Sequence, residues 1–211
     1  MSKLLKNIDN IIFDLGGVIL EIDLDMIKKG FMSLGFNDLE SSFETFKHNQ
    51  IFEKFERGQI EPQVMRNEIR KASPNPFSDK EFDKVWNSVI INYPKENIQL
   101  LKDLHGKYTT FLLSNTNEIH YDFYTKMLSQ EFGIEKLDLL FNKAYYSHTS
   151  GMRKPNPKFF ELVLNENSLK PENTLFIDDF EENIEAAKLL GIKTIHLTGF
   201  NLADTLGTVN K

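Results

Sequence analysis

The alternation of short apolar runs with helical patterns restricts this chain more than any single residue does. Residues 11–13, 108–113, 174–177 and 192–197 are short runs rich in β-branched, aliphatic and aromatic side chains, and 141–146 is a weaker one. Runs of this length closed by glycine or polar residues suit strands buried on both faces, the parallel-sheet type. Helix-period patterns fall between them at 96–105, 118–131, 157–167 and 181–190, the last closed by Gly191. Strands alternating with helices of about ten to fifteen residues predict βαβ units, hence a doubly wound parallel sheet in a Rossmann-like α/β core.

One stretch interrupts the alternation. After the first strand come some 70 residues with no convincing strand before the helix at Glu96. Residues 25–34, 39–48, 61–72 and 79–91 read as amphipathic helices, separated by Gly35, Gly58 and the Ser73-Pro74-Asn75-Pro76 cluster. Phe31, Phe36, Phe43, Phe46, Phe52 and Phe55 give this insert enough aromatic area for a core of its own. The expectation is therefore a Rossmann-like core from 1–21 and 95–211, with a small all-helical cap from 22–94. The cap is hinged near Ile22-Asp23 and Tyr93-Pro94.

Composition removes whole classes of function. With no cysteine among 211 residues, disulfide frameworks, thiolate metal sites and cysteine nucleophiles are excluded. A net charge of −6 argues against nucleic-acid binding, which needs a concentrated basic face. No apolar run approaches the roughly 20 residues of a membrane span, and Asp14 interrupts the apolar stretch 11–20, so no signal peptide is expected. These features suit a cytoplasmic protein without membrane or nucleic-acid partners. They leave the oligomeric state open.

Ligands of an open parallel sheet bind outside the carboxyl ends of its strands. There the first strand delivers Asp14, the second Ser114 and Asn115, and the third leads to Arg153-Lys154-Pro155. The fourth delivers Asp178-Asp179, with Asn183 a turn later. Three carboxylates meet one hydroxyl and one lysine at this edge, and their excess negative charge would repel itself without a divalent cation. Hard oxygen ligands shared with a phosphate favour Mg²⁺. Each piece alone has a plainer reading: Asp14 a turn residue before Gly16-Gly17, Ser114 or Asn115 a helix cap, Asp179 with Glu182 a capping box, Lys154 solvated surface. Their placement at the same end of successive strands favours a site.

Four motifs carry a family resemblance: F-D-L-G-G-V-I-L, L-L-S-N-T-N, G-M-R-K-P and F-I-D-D-F-E-E-N. In that order, with a helical insert after the first strand, the chain resembles the haloacid dehalogenase superfamily. S-N-T-N followed by His120, G-M-R-K-P and the insert's F-E-R-G-Q-I resemble its α-D-glucose-1-phosphate phosphatase group in particular. The resemblance implies a phosphatase with Asp14 as nucleophile, forming an aspartyl-phosphate. It implies that Ser114 and the amide of Asn115 hold the phosphoryl oxygens and that Lys154 neutralises charge. Mg²⁺ would be held by Asp14, the carbonyl of Gly16 and Asp179, with Asp178 in or beside its shell. The implied substrate is a small phosphorylated metabolite, a sugar phosphate, with sugar 1-phosphates favoured.

One departure bears on chemistry. Most phosphatases of the superfamily carry a second aspartate two residues after the nucleophile, as general acid and then base; here that position is Gly16. His120 and His148 are the candidate substitutes, although a structural role suits each as well. His48, His105 and His196 have no such placement. Two other readings stay open: a phosphate-ligand binder that lost its acid/base, and a 2-haloacid dehalogenase. Gly16 and the Asp178-Asp179 pair both count against the dehalogenase. Phe43, Phe46 and the Glu56-Arg57-Gly58 turn are candidates for contacting substrate from the cap, though Phe at helical spacing also suits a core.

Overall fold

The computed structural model describes residues 5–199 and 202–207. β1 (Asn10–Phe13) is followed by β2 (Glu21–Ile22), α1 (Leu24–Ser33), α2 (Leu39–His48), α3 (Ile51–Glu56), α4 (Pro62–Ala72), α5 (Asp79–Trp86) and β3 (Ile90–Asn92). Then come α6 (Lys95–Leu104), β4 (Thr109–Ser114), α7 (Glu118–Phe132), β5 (Lys143–Tyr146), the single turn α8 (Ser147–Ser150) and α9 (Pro157–Glu166). β6 (Thr174–Asp178), α10 (Glu181–Leu189), β7 (Lys193–His196) and α11 (Leu202–Leu206) complete the order.

Five strands form a wholly parallel sheet in the order β5-β4-β1-β6-β7. Successive residues of a strand point to opposite faces. Accordingly Ile11, Phe13, Leu112 and Ile177 join one buried cluster with α6 and α7, while Ile12, Phe111, Leu113 and Phe176 join another with α9 and α10. Helices on both faces explain why these runs read as continuously apolar. Because the connections on the two sides of β1 use opposite faces, the crevice opens at its carboxyl end. The predicted doubly wound core is present.

The helical insert packs around Phe31, Phe36, Phe46, Phe55, Phe82 and Trp86, and Ile119 of α7 reaches into the same cluster. Phe43 and Phe46 belong to this aromatic packing, with ring centroids 6.3 Å apart and both rings against Phe52.

Three local expectations fail. The stretch expected to lack strands contains β2 and β3, which pair antiparallel. The helix expected over 79–91 stops at Trp86, turns through Asn87–Val89 and enters β3. The apolar pattern continued, but Ile90 meets its partner Ile22 across the ribbon and the Asp23 N–H donates to the Val89 carbonyl (2.8 Å). Helix α3 was not anticipated: it has six residues, too few to display a period, and starts after Gln50 at φ 55°. The connections near Ile22-Asp23 and Tyr93-Pro94 thus lie at the ends of a short paired ribbon. Asp23 caps α1, and Tyr93 is buried against the sheet unit.

Candidate active site

Strand β1 ends by handing Asp14 to the crevice, where the Asp14 N–H still donates to the Ile177 carbonyl (2.9 Å). The chain then folds tightly: the Leu15 carbonyl accepts from Ile19 and Leu20, both at 2.8 Å, and Gly17 takes φ 75°. Asn97 on α6 pins this loop by donating to the Val18 and Ile19 carbonyls. A Cβ on Gly17 would lie 2.2 Å from Asp179 Oδ2, so only glycine lets the loop approach that carboxylate.

Lys154 is the hub of the polar cluster. Its Nζ lies 2.7 Å from Asp14 Oδ1 and donates to Asp178 Oδ2 at 2.6 Å. The Asn115 side chain fixes Lys154 from behind, donating to the Lys154 carbonyl (2.9 Å) and accepting from its N–H (2.8 Å). The Ser147 hydroxyl steadies the loop after β4, accepting from the Thr116 N–H and donating to the Thr116 carbonyl. Neither Ser114 nor Asn115 caps α7. Asn117 does, accepting from the His120 N–H at 3.1 Å.

The paired acids have different duties. Asp178 accepts from Lys154, from the Phe180 N–H and twice from Asn183, so both its oxygens are engaged. Asp179 does not form the capping box of its plainer reading, because Phe180 occupies the cap position of α10; Asp179 is the freer acid. Its buried Oδ1 has no hydrogen-bond partner among the described residues. Carboxylate oxygens of Asp14, Asp178 and Asp179 lie within 4.8 Å of one another. An orphaned buried carboxylate oxygen in such a cluster fits a hard divalent cation. Asp14 and Asp179 are the carboxylates of the cluster that could hold one, with Gly16 lining the same cleft and Asp178 committed to Lys154 and Asn183.

Burial pushes the Asp14 carboxyl up to about 7, Lys154 pulling against this and Asp178 adding to it. Burial likewise lifts Asp179 to about 6, helped by Asp178. Burial disfavours the Lys154 ammonium, yet its two carboxylate partners hold it above the ordinary lysine value. His196, which had no placement argument of its own, donates from Nε2 to the Asp179 carbonyl at 3.0 Å.

A cleft of about 580 Å³ opens over these groups, lined by Asp14, Gly16, Ser114, Asn115 and Lys154. Its remaining walls include Ile22, Leu24, Val89, Ile90, His120 and Phe180, together with Glu56 and Arg153. His120 Nδ1 sits 3.0 Å from Asn87 Oδ1 and the ring stacks on Trp86. Burial pushes its pKa down to about 3, so the ring is neutral and unsuited to donate a proton as an acid. Burial also lowers His148, which packs against Tyr121 and Tyr146. Both rings are thereby held toward the neutral form, which disfavours either as a general acid.

Comparison with known proteins agrees with this geometry. The family model of haloacid dehalogenase-like hydrolases matches residues 8–191. This chain belongs to that family. Over 189 residues it is 30% identical to D-ribitol-5-phosphate phosphatase of Bacteroides thetaiotaomicron, covering 89% of this chain and 90% of that one. A solved HAD family enzyme from Bacteroides thetaiotaomicron superposes with a TM-score of 0.86 at 35% identity, covering 95% of this chain and 99% of that one. A structure of such an enzyme from the same organism, in complex with magnesium and inorganic phosphate, gives 0.81 at 36% identity over 89% and 93%. Among the described residues, no helix is long and apolar enough to cross a membrane.

Proposed function

We propose that this HAD-family hydrolase is a Mg²⁺-dependent phosphatase of a small phosphorylated metabolite, a sugar or sugar-alcohol phosphate, acting through a phosphoryl group carried on Asp14. The observation that carries the reading is the convergence of Asp14, Asp178 and Asp179 within 4.8 Å around Lys154. Relatives with phosphatase names, one of them acting on ribitol 5-phosphate, support the reaction class. The magnesium and phosphate complex of a similar enzyme supports the cofactor.

In this reading a carboxylate oxygen of Asp14 attacks phosphorus and the bond to the leaving oxygen breaks, leaving an aspartyl-phosphate. The leaving oxygen takes its proton from water. A water molecule then attacks phosphorus, releasing inorganic phosphate and restoring Asp14. Ser114 and the amide of Asn115 hold the phosphoryl oxygens. The Asn115 side chain is reserved for Lys154, whose ammonium balances charge on Asp14 and on the transferring group. Bound at Asp14, the Gly16 carbonyl and Asp179, Mg²⁺ supplies the charge neutralisation that lets phosphate dianion approach a carboxylate. The helical insert over the cleft serves as a cap, covering residues 22–94, and limits water during transfer.

Without an acid at Gly16, leaving groups of low pKa lose least, which favours sugar 1-phosphates and agrees with the resemblance to the glucose-1-phosphate phosphatase group. The ribitol 5-phosphate relative points instead to a primary alcohol. Phosphate release from sugar 1-phosphates, sugar 6-phosphates and sugar-alcohol phosphates, with Mg²⁺ and with EDTA, decides between them. Release that needs Mg²⁺ is expected. Tight phosphate binding without any release would favour the second reading, a phosphate-ligand binder, for which Gly16 is the motive.

A further inference from the structure

Three charged side chains in the cleft have no part in the chemistry above: Glu182 of α10, and an ion pair made by Glu56, from the helical insert, and Arg153, from the loop before Lys154. Arg153 Nε lies 2.8 Å from Glu56 Oε2, and an Arg153 terminal nitrogen lies 3.7 Å from Glu53 Oε1, one turn earlier on α3. The arginine therefore spans from the sheet unit to one face of α3. The turn after α3 is held in place by backbone contact. Gly58 takes φ 63°, and a Cβ there would lie 2.0 Å from the His148 carbonyl oxygen. This close docking fixes where Glu56 stands over the cleft.

We infer that the Glu56–Arg153 pair reads the leaving group, selecting phosphate esters whose alcohol part is uncharged and carries several hydroxyls; this rests on the phosphatase reading above. A carboxylate only accepts hydrogen bonds and a guanidinium only donates them. Side by side they match hydroxyls, which do both. As the pair is close to neutral in sum, it offers nothing to a second charge on the substrate. A further carboxylate or phosphate would face Glu56, and an ammonium would face Arg153. Both side chains are 26% exposed, so the pair is half-buried beside the cleft, where mismatched charge costs more than in open water. The apolar part of the lining, with Ile22, Leu24, Val89, Ile90 and Phe180, suits the C–H face of a carbon chain or ring.

The test compares kcat/KM of the Mg²⁺-loaded native protein with those of Glu56→Gln and Glu56→Ala. Its substrates are ribitol 5-phosphate, glucose 1-phosphate, p-nitrophenyl phosphate and phosphoglycolate. Hydrogen bonds to a charged group are worth about 1.5–3 kcal/mol. Glu56→Ala should therefore lower kcat/KM for the preferred polyol ester relative to p-nitrophenyl phosphate by about 10- to 100-fold. Glu56→Gln should lose less, and phosphoglycolate should gain relative to the polyol esters in both variants. Taking ratios within one preparation cancels any loss of folded protein. Equal factors on all substrates would overturn the inference. A native protein inactive on every ester would overturn the phosphatase reading, and this one with it.

Discussion

The Lys154 ammonium lies 2.7 Å from the Asp14 carboxylate, in a site where the lysine is 1% exposed. The same ammonium reaches Asp178 at 2.6 Å, so a single buried cation serves two acids. Removing one member of a buried ion pair costs about 3–5 kcal/mol, because its partner stays desolvated and uncompensated. Metal-free Lys154→Met should lose stability of that order at pH 8. It should lose less at pH 5, where Asp14 carries a proton. Urea unfolding at the two pH values measures both, and a pH-independent loss below about 1 kcal/mol would contradict this picture.

The raised Asp14 pKa fixes a second outcome. Its carboxyl titrates near 3.8 in the unfolded chain and at about 7 in the folded, metal-free protein. Between those values the folded state retains a proton that the unfolded state has released, so this group's contribution to stability falls as pH rises. Asp14→Asn removes the effect. The melting temperature of Asp14→Asn minus that of the native chain, both metal-free, should grow from pH 4 to pH 7 and then level off. Taking the difference sets aside the opposite trend of His120, whose depressed pKa adds stability as pH rises.

Neighbouring glycines should respond differently to substitution. A Cβ on Gly17 would overlap the Asp179 carboxylate, whereas a Cβ on Gly16 meets only Ile22 methyl carbons at 3.6 Å, an ordinary contact. Gly17→Ala should therefore weaken Mg²⁺ binding, seen as loss of the thermal stabilisation that Mg²⁺ gives the native protein. Gly16→Asp should fold with little loss. Unchanged Mg²⁺ stabilisation in Gly17→Ala would remove the proposed role of Asp179.

Gly16→Asp also tests proton transfer. A positioned general acid contributes about 10²–10⁴ in rate. The native protein should accordingly show a steep dependence of kcat/KM on leaving-group pKa across substituted phenyl phosphates. Gly16→Asp should flatten that dependence and help alkyl esters most. A flat native series would mean that some other residue supplies the proton.

Much of this was readable in the residues. Strand ends at Asp14, Ser114 and Asp178 announced themselves because a strand buried on both faces must be apolar until it leaves the sheet. The roles of other residues depend on contacts between distant segments and leave no local trace. Nothing near Asn115 says that its side chain clamps Lys154, and nothing near His196 says that it meets the Asp179 carbonyl. Strands β2 and β3 escaped notice for the same reason: two or three residues define each, and only their pairing makes them strands. The Glu56 turn was visible as a break at Gly58. Its docking on His148 was not.

A phosphoryl group on Asp14 is the central claim, and the glycine at position 16 makes it accessible to measurement. The acid missing from the first step is also the base missing from the second, so water attack on the aspartyl-phosphate should be slow compared with its formation from an aryl ester. Rapid acid quench during turnover of p-nitrophenyl phosphate with Mg²⁺, followed by peptide mapping, should find the phosphoryl group on the peptide containing Asp14. A burst of nitrophenolate approaching one equivalent should precede the steady state. Steady phosphate release with no phosphoryl group on Asp14, or with undiminished turnover by Asp14→Asn, would contradict the account.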